Sequence, residues 1–256
     1  MLNAFKRLLA GGEDDPDGRE VMAWAKRHNC IVRRAREGKG YIVEGSLDGH
    51  PLRLEWGAPQ RAYLQGQELR LRIELGLPPG LEMLVMSKAL AERLEQEAFS
   101  RYTEQMQTHL DLNLPEESRW LAMFPRVEPG AVPALRDDFV ALSALPGQVR
   151  GWLLGAFGAR LAQAAEAPGA LAGGVPAMLM TLRGRLYVRV QAPSLQGPLL
   201  EDMYALTTVA ARSAQELVGL EEGEGADSAD ANRFGASSGT AWVSLAPGST
   251  LQPDDK

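Results

Sequence analysis

Glu68-Leu69-Arg70-Leu71-Arg72-Ile73-Glu74-Leu75 is the stretch on which the fold turns. Leu69, Leu71, Ile73 and Leu75 alternate without a break with charged residues, so the side chains follow period two, not 3.6. Such a strand buries one face and leaves the other in water, as in an antiparallel sheet. Toward the N-terminus, Leu52, Leu54 and Trp56 alternate with Arg53 and Glu55 in the same way. Asp48-Gly49 separates that run from residues 41–47 and predicts a hairpin, because a type I′ turn needs positive φ at both central positions. Residues 37–40 give another turn, preceded by a strand at 30–36. Further upstream the period changes. Asp15-Pro16 opens a helix in which Val21, Trp24, Ala25 and His28 share a face, and Asn29 stops it.

Toward the C-terminus, Pro78-Pro79-Gly80 turns the chain into a strand at 81–86, and Ser87 caps a long helix. Leu90, Leu94, Ala98, Tyr102 and Met106 repeat every four residues along it. Pro115-Glu116-Glu117 predicts a short helical turn, then a strand at 120–124; residues 139–144 read as strand or helix. Pro146 opens a helix to about Glu166, and an Ala/Gly/Pro loop crosses 167–176. Residues 178–182 and 185–190 form a second hairpin around Arg183-Gly184, and 198–218 form the last helix. The fold class is α+β: a largely antiparallel sheet or sheets with tight hairpins, packed by long amphipathic helices, plus a disordered C-terminal tail. The expected organisation is an N-terminal arm (1–15), a body (16–218, undivided or split as 16–112 and 115–218) and an acidic tail (219–256).

Composition narrows the function. The 256 residues are 45% hydrophobic and 23% charged, as in an ordinary globular protein. No apolar run approaches the length of a membrane span. Charges interrupt the first twelve residues, so they do not read as a secretory signal, and a cytoplasmic location is expected. Cys30, the single cysteine, excludes an internal disulfide and a multi-cysteine metal cluster. The net charge is −6, and the tail holds seven acids against Arg233 and Lys256. The body is therefore nearly neutral and has no long-range field to gather nucleic acid.

Catalytic patterns are weak. Gly235-Ala236-Ser237-Ser238-Gly239 matches a serine-nucleophile turn, but it lacks the preceding strand and a downstream histidine. His28 and Cys30 sit two apart where a helix meets a strand, a position more typical of a helix-end imidazole and a buried thiol. His109 and Asp111 have no third ligand at usable spacing, and Glu82, Glu116, Glu117, Asp137 and Asp138 cannot be paired from sequence. No catalytic, cofactor-binding or metal residue is assigned, and no cofactor is expected. The reading leans away from an enzyme.

Interaction residues are better marked. Arg33, Arg34 and Arg36 crowd with Lys26, Arg27 and Lys39; if Arg34 and Arg36 share a strand face with Arg53, that cationic face could hold phosphates. Gly151, Gly155 and Gly158 line one stripe of the 146–166 helix. Each interior glycine costs about 1 kcal/mol against alanine, so the stripe calls for close approach by a sheet, a helix or a second subunit. Trp242 and Leu245 belong to an apolar island in the tail, read as a tolerated remnant of a free tail or as a short strand or docking segment for another protein.

Glu44-Gly45-Ser46-Leu47-Asp48-Gly49 with Arg53-Leu54-Glu55-Trp56, the 69–75 strand, Arg119-Trp120-Leu121-Ala122-Met123-Phe124-Pro125, and Met180-Thr181-Leu182-Arg183-Gly184-Arg185-Leu186-Tyr187 together carry a resemblance. Over roughly 20–218 the chain resembles uncharacterised cytosolic proteins of proteobacteria, a family without known activity or site residues to transfer. The element order also resembles bacterial secretion chaperones, an analogy of fold alone. The expectation is a non-enzymatic binding or adaptor protein of the bacterial cytoplasm, with a protein partner or a homo-oligomer. The alternative is a small-molecule or lipid-binding protein, or a hydrolase, with a cavity between sheet and helices. Nucleic-acid binding ranks below both.

Overall fold

Asp15 accepts a hydrogen bond from the Gly18 N–H at 2.9 Å and Pro16 stands at the first helical position, so α1 (Pro16–Arg27) starts where its two strongest signals coincide. The computed structural model describes residues 15–35, 39–105, 115–127 and 133–234. Contacts group the chain into Met1–Gly219 and Leu220–Lys256. Asn29, at φ 52°, ends the α1 segment, and the chain enters β1 (Ile31–Arg34), β2 (Tyr41–Leu47), β3 (His50–Gly57) and β4 (Glu68–Glu74). Asp48 (φ 50°) and Gly49 (φ 86°) form the expected type I′ turn between β2 and β3.

β5 (Met83–Ser87) leads into α2 (Lys88–Gln105), and α3 (Glu116–Met123) is followed by β6 (Arg126–Val127). The strand expected at 120–124 is therefore corrected to helix. Trp120 alone of the five is buried, its ring 5.2 Å from Phe124, which caps the helix in extended backbone, while Met123 is exposed. α4 (Pro133–Asp138) precedes β7 (Phe139–Ser143), which is strand, and α5 (Pro146–Leu153) and α6 (Ala156–Ala165) follow. The single helix expected over 146–166 is broken at Leu154 and Gly155, whose φ of 80° suits glycine. β8 (Ala177–Leu182) and β9 (Arg185–Gln191) turn through Arg183 and Gly184, both at positive φ.

α7 (Gly197–Phe234) runs past the end expected at Val218. Beyond Gly219, which keeps helical backbone, Glu221, Glu222, Glu224, Ala226, Ala229 and Ala231 are strong helix formers. Residues 235–256 lie outside the described residues, as do residues 1–14 of the N-terminal arm. No helix among the described residues is long and apolar enough to cross a membrane.

The nine strands among the described residues join one antiparallel sheet in the order β1-β2-β3-β4-β9-β8-β5-β7-β6. β4 pairs with β9, and β5 lies between β8 and β7, so the sheet runs continuously through both halves of the body. One face carries Leu54, Leu71, Val188, Leu179 and Val85 in a single cross-strand row, packed by α1, α5, α6 and α7. Among the described residues, the helical cover of the other face lies over β8, β5 and β7 and comes from α2 and α3.

Asp15 also holds the outer end of the sheet. Arg34 reaches its carboxylate at 2.9 Å, and the Tyr41 hydroxyl donates to the same oxygen. Burial raises the Asp15 pKa, but the Tyr41 and Gly18 hydrogen bonds and the Arg34 charge outweigh it and hold it below the ordinary value. Burial and the bond to Asp15 in turn push Tyr41 up to about 12. Because the folded carboxyl is the stronger acid, its contribution is complete above the unfolded pKa and is lost as pH falls through the folded one. Asp15→Ala is expected to cost about 1 kcal/mol in urea unfolding at neutral pH. Asp15→Asn is expected to lose less stability than wild type on acidification; equal losses between neutral pH and about pH 3 would refute the charge's role.

Candidate binding face

The period-two pattern of β3, β4 and β9 sends their charged residues to the face that α2 and α3 leave uncovered. Across the strands, one row runs Glu44, Arg53, Arg72, Tyr187 and then Met180 and Leu84. The next runs Ile42, Glu55, Arg70, Arg189 and then Met178 and Met86. Between β9 and β8 the same face changes from charged to apolar, and the helical cover begins there.

Six arginines on this face meet four glutamates, and each glutamate serves two of them. Glu44 bonds Arg33 (3.3 Å) and Arg53 (2.7 Å), and Glu55 bonds Arg53 and Arg70 (2.9 Å). Glu74 bonds Arg72 (3.3 Å) and Arg185. Glu68, fully buried, takes Arg70 at 3.0 Å, Arg189, and the Gln60 N–H at 2.8 Å. Burial raises the Glu55 pKa, but the bonds from Arg53 and Arg70 outweigh it and hold the carboxyl below its usual range. The lattice carries two positive charges in excess.

A small pocket of about 170 Å³ opens on this face, lined by Arg53, Arg70, Arg72, Arg189, Tyr187 and Glu55 among others. A larger cleft of about 800 Å³ lies where α6, the 166–175 loop and the start of α7 meet, lined by Arg160, Gln163, Glu166, Gln191, Ser194 and Asp202 with several prolines. Within it Arg160 pairs with Asp202, which also accepts the Ala170 N–H at 2.6 Å.

The sequence-marked cations separate. Arg33 lies on the open face and shares Glu44 with Arg53, whereas Arg34 points to the opposite face beside Asp15 and Tyr41. Arg34 therefore does not share a face with Arg53, because neighbours in a strand alternate. Arg36 lies outside the described residues, as do Trp242, Leu245, His109, Asp111 and the 235–239 motif.

The three glycines serve three purposes rather than one helical stripe. A Cβ on Gly151 would meet the Leu217 side chain of α7 at 2.6 Å, and one on Gly158 would meet the Leu153 carbonyl oxygen at 2.0 Å. Gly155 makes the turn between α5 and α6. His28 and Cys30 do not form a couple either. The imidazole meets Glu201 at 2.9 Å and stacks on Trp24, while the Cys30 thiol donates to the His28 carbonyl and burial pushes its pKa up. Glu117 is buried with Arg61 and Tyr63, and Glu116 pairs with Arg119. Among the described residues no group of three or more His, Cys, Asp or Glu is placed to hold a metal ion.

Arg70, Arg72, Tyr187 and Arg189 were not singled out by sequence reading. Their signal is the wet half of the alternation in β4 and β9, which marks exposure without saying which charges become neighbours. No family model, no curated protein and no solved structure matches this chain.

Proposed function

We propose that the protein is a non-enzymatic binding module that docks an acidic segment of a partner protein on the open half of its sheet, with the cytoplasm as its setting. The observation that supports this is the lattice over β1–β4 and β9, where six arginines outnumber four glutamates on a face that no helix among the described residues covers. Fixed guanidiniums lose little freedom on binding, and a local positive excess selects an acidic surface even in a nearly neutral body.

Affinity capture from extracts of the source cells tests this, with wild type beside Arg33→Glu/Arg185→Glu. Both arginines are exposed (64% and 41%), and each shares its glutamate with another arginine, so the fold should survive their loss. The expected result is an acidic protein retained by wild type, lost with the variant and weakened by salt. Equal retention by both forms, or none by either, would overturn the reading. A second reading, a small-molecule binder, draws on the 800 Å³ cleft, which falls in the usual size range of ligand pockets.

A further inference from the structure

We propose that the 170 Å³ pocket on the open face binds a tetrahedral oxyanion, the phosphate group of a small ligand or of a phosphorylated side chain. This deepens the docking reading by naming the group that would anchor an acidic partner, and it rests on that reading only for the source of the phosphate.

Two observations carry it. The first is register: Arg53 stands directly opposite Arg72, and Arg70 directly opposite Arg189. Like charges at opposed positions destabilise a sheet, and here two such pairs lie side by side around one concavity. The second is how the existing bonds are spent. Both oxygens of Glu55 are engaged, one by Arg53 and the other by Arg70, and Glu68 is enclosed behind Arg70 and Arg189. Among the described residues, Arg72 is held only through its Nε, at 3.3 Å from Glu74, which leaves both terminal nitrogens without a partner. An entering anion therefore meets guanidinium N–H groups beside one carboxylate, Glu55, whose two oxygens are each already bonded to an arginine.

Size and donor geometry select the anion. The volume, that of about five or six waters, admits a tetrahedral ion of five heavy atoms together with bound water. Planar guanidinium forks match phosphate oxygens in pairs, and several of them suit a doubly charged ion better than a single carboxylate. Glu44, Glu55 and Glu68 already order three of the four guanidiniums, so little side-chain freedom is lost on binding.

The test is calorimetric titration of the full chain with inorganic phosphate at low salt, for wild type, Arg72→Gln and the distant control Arg212→Gln, with thermal melts confirming that each variant folds. Arg212 pairs with Asp48 and does not line the pocket. Saturable binding, weakened at least about tenfold by Arg72→Gln and unchanged by Arg212→Gln, is the expected result. No saturable binding up to about 10 mM phosphate, or equal weakening by the two variants, would overturn the site. A phosphoserine peptide that binds more tightly than inorganic phosphate assigns the group to a phosphorylated partner; equal affinities assign it to a free phosphate. Either result supports the pocket. Phosphate uptake without capture of any partner removes the docking reading alone, and capture without uptake removes the pocket alone.

Discussion

Glu68→Ala is expected to lower the unfolding free energy by about 3–5 kcal/mol, because it takes the carboxylate from the nearly buried Arg189 and leaves the nearly buried Arg70 with Glu55 alone. Arg70 and Arg189, 16% and 13% exposed, both spend hydrogen bonds on this carboxylate, and the Gln60 N–H loses its acceptor. For a body of this size the loss corresponds to a drop of about 6–20 °C in melting temperature. Glu68→Gln separates charge from shape, since its carbonyl oxygen can still accept from Gln60 while the ion pairs are lost. It is expected to fall between wild type and Glu68→Ala in urea unfolding. A loss under about 1 kcal/mol for the alanine variant would mean that water reaches both guanidiniums and the cluster is solvated.

Trp152→Ala is expected to cost about 3–5 kcal/mol, at the upper end for a core substitution. Trp152 is fully buried in α5, its ring lies 4.5 Å from that of Phe157 in α6, and its Nε1–H donates to the Ala210 carbonyl of α7 at 2.9 Å. One side chain thus joins three helices across the break at Gly155. Trp152→Phe keeps most of the ring and gives up the hydrogen bond. Ala210 lies inside α7, where its carbonyl still has a helical partner, so the phenylalanine variant is expected to lose only about 1 kcal/mol beyond the smaller ring's lost contacts. Equal losses for the two variants in urea unfolding would place the energy in the hydrogen bond instead of the packing.

The local features of this fold were open to sequence reading because they are set by neighbours in the chain. The turns at Asp48-Gly49 and Arg183-Gly184 need positive φ, which Asp48, Gly49 and Gly184 accept and which Arg183 is held in by the turn. The alternation in β4 fixes which side chains are buried before any partner strand is known. The misread segments fail for reasons equally physical. The five apolar residues from Trp120 to Phe124 fit a buried strand or a buried helical turn, and periodicity cannot separate the two over so short a run. The break at Gly155 lies within an Ala/Gly-rich helical pattern, where a glycine inside a helix and a glycine between helices look alike. The binding face was hidden more deeply. Arg70 and Arg189 face each other across 119 residues of chain, and only the pairing of β4 with β9 brings them together. Arg33 and Arg34 show the same dependence in miniature, since one step along β1 moves a charge from the open face to the packed one.

The β4–β9 pairing also has a consequence for synthesis. Ile73 meets Leu186 only after 113 further residues have been made. At ordinary translation rates this is a wait of about 6–23 s, with the β1–β4 meander emerged and one side of β4 unpaired. An alternating apolar strand left open in this way invites pairing with a neighbouring nascent chain. Arg70 and Arg72 sit within that waiting strand, and charges there act as gatekeepers against such mispairing. Two of the arginines that line the pocket of the finished molecule thus have an earlier task, keeping the half-made sheet from joining the wrong chain.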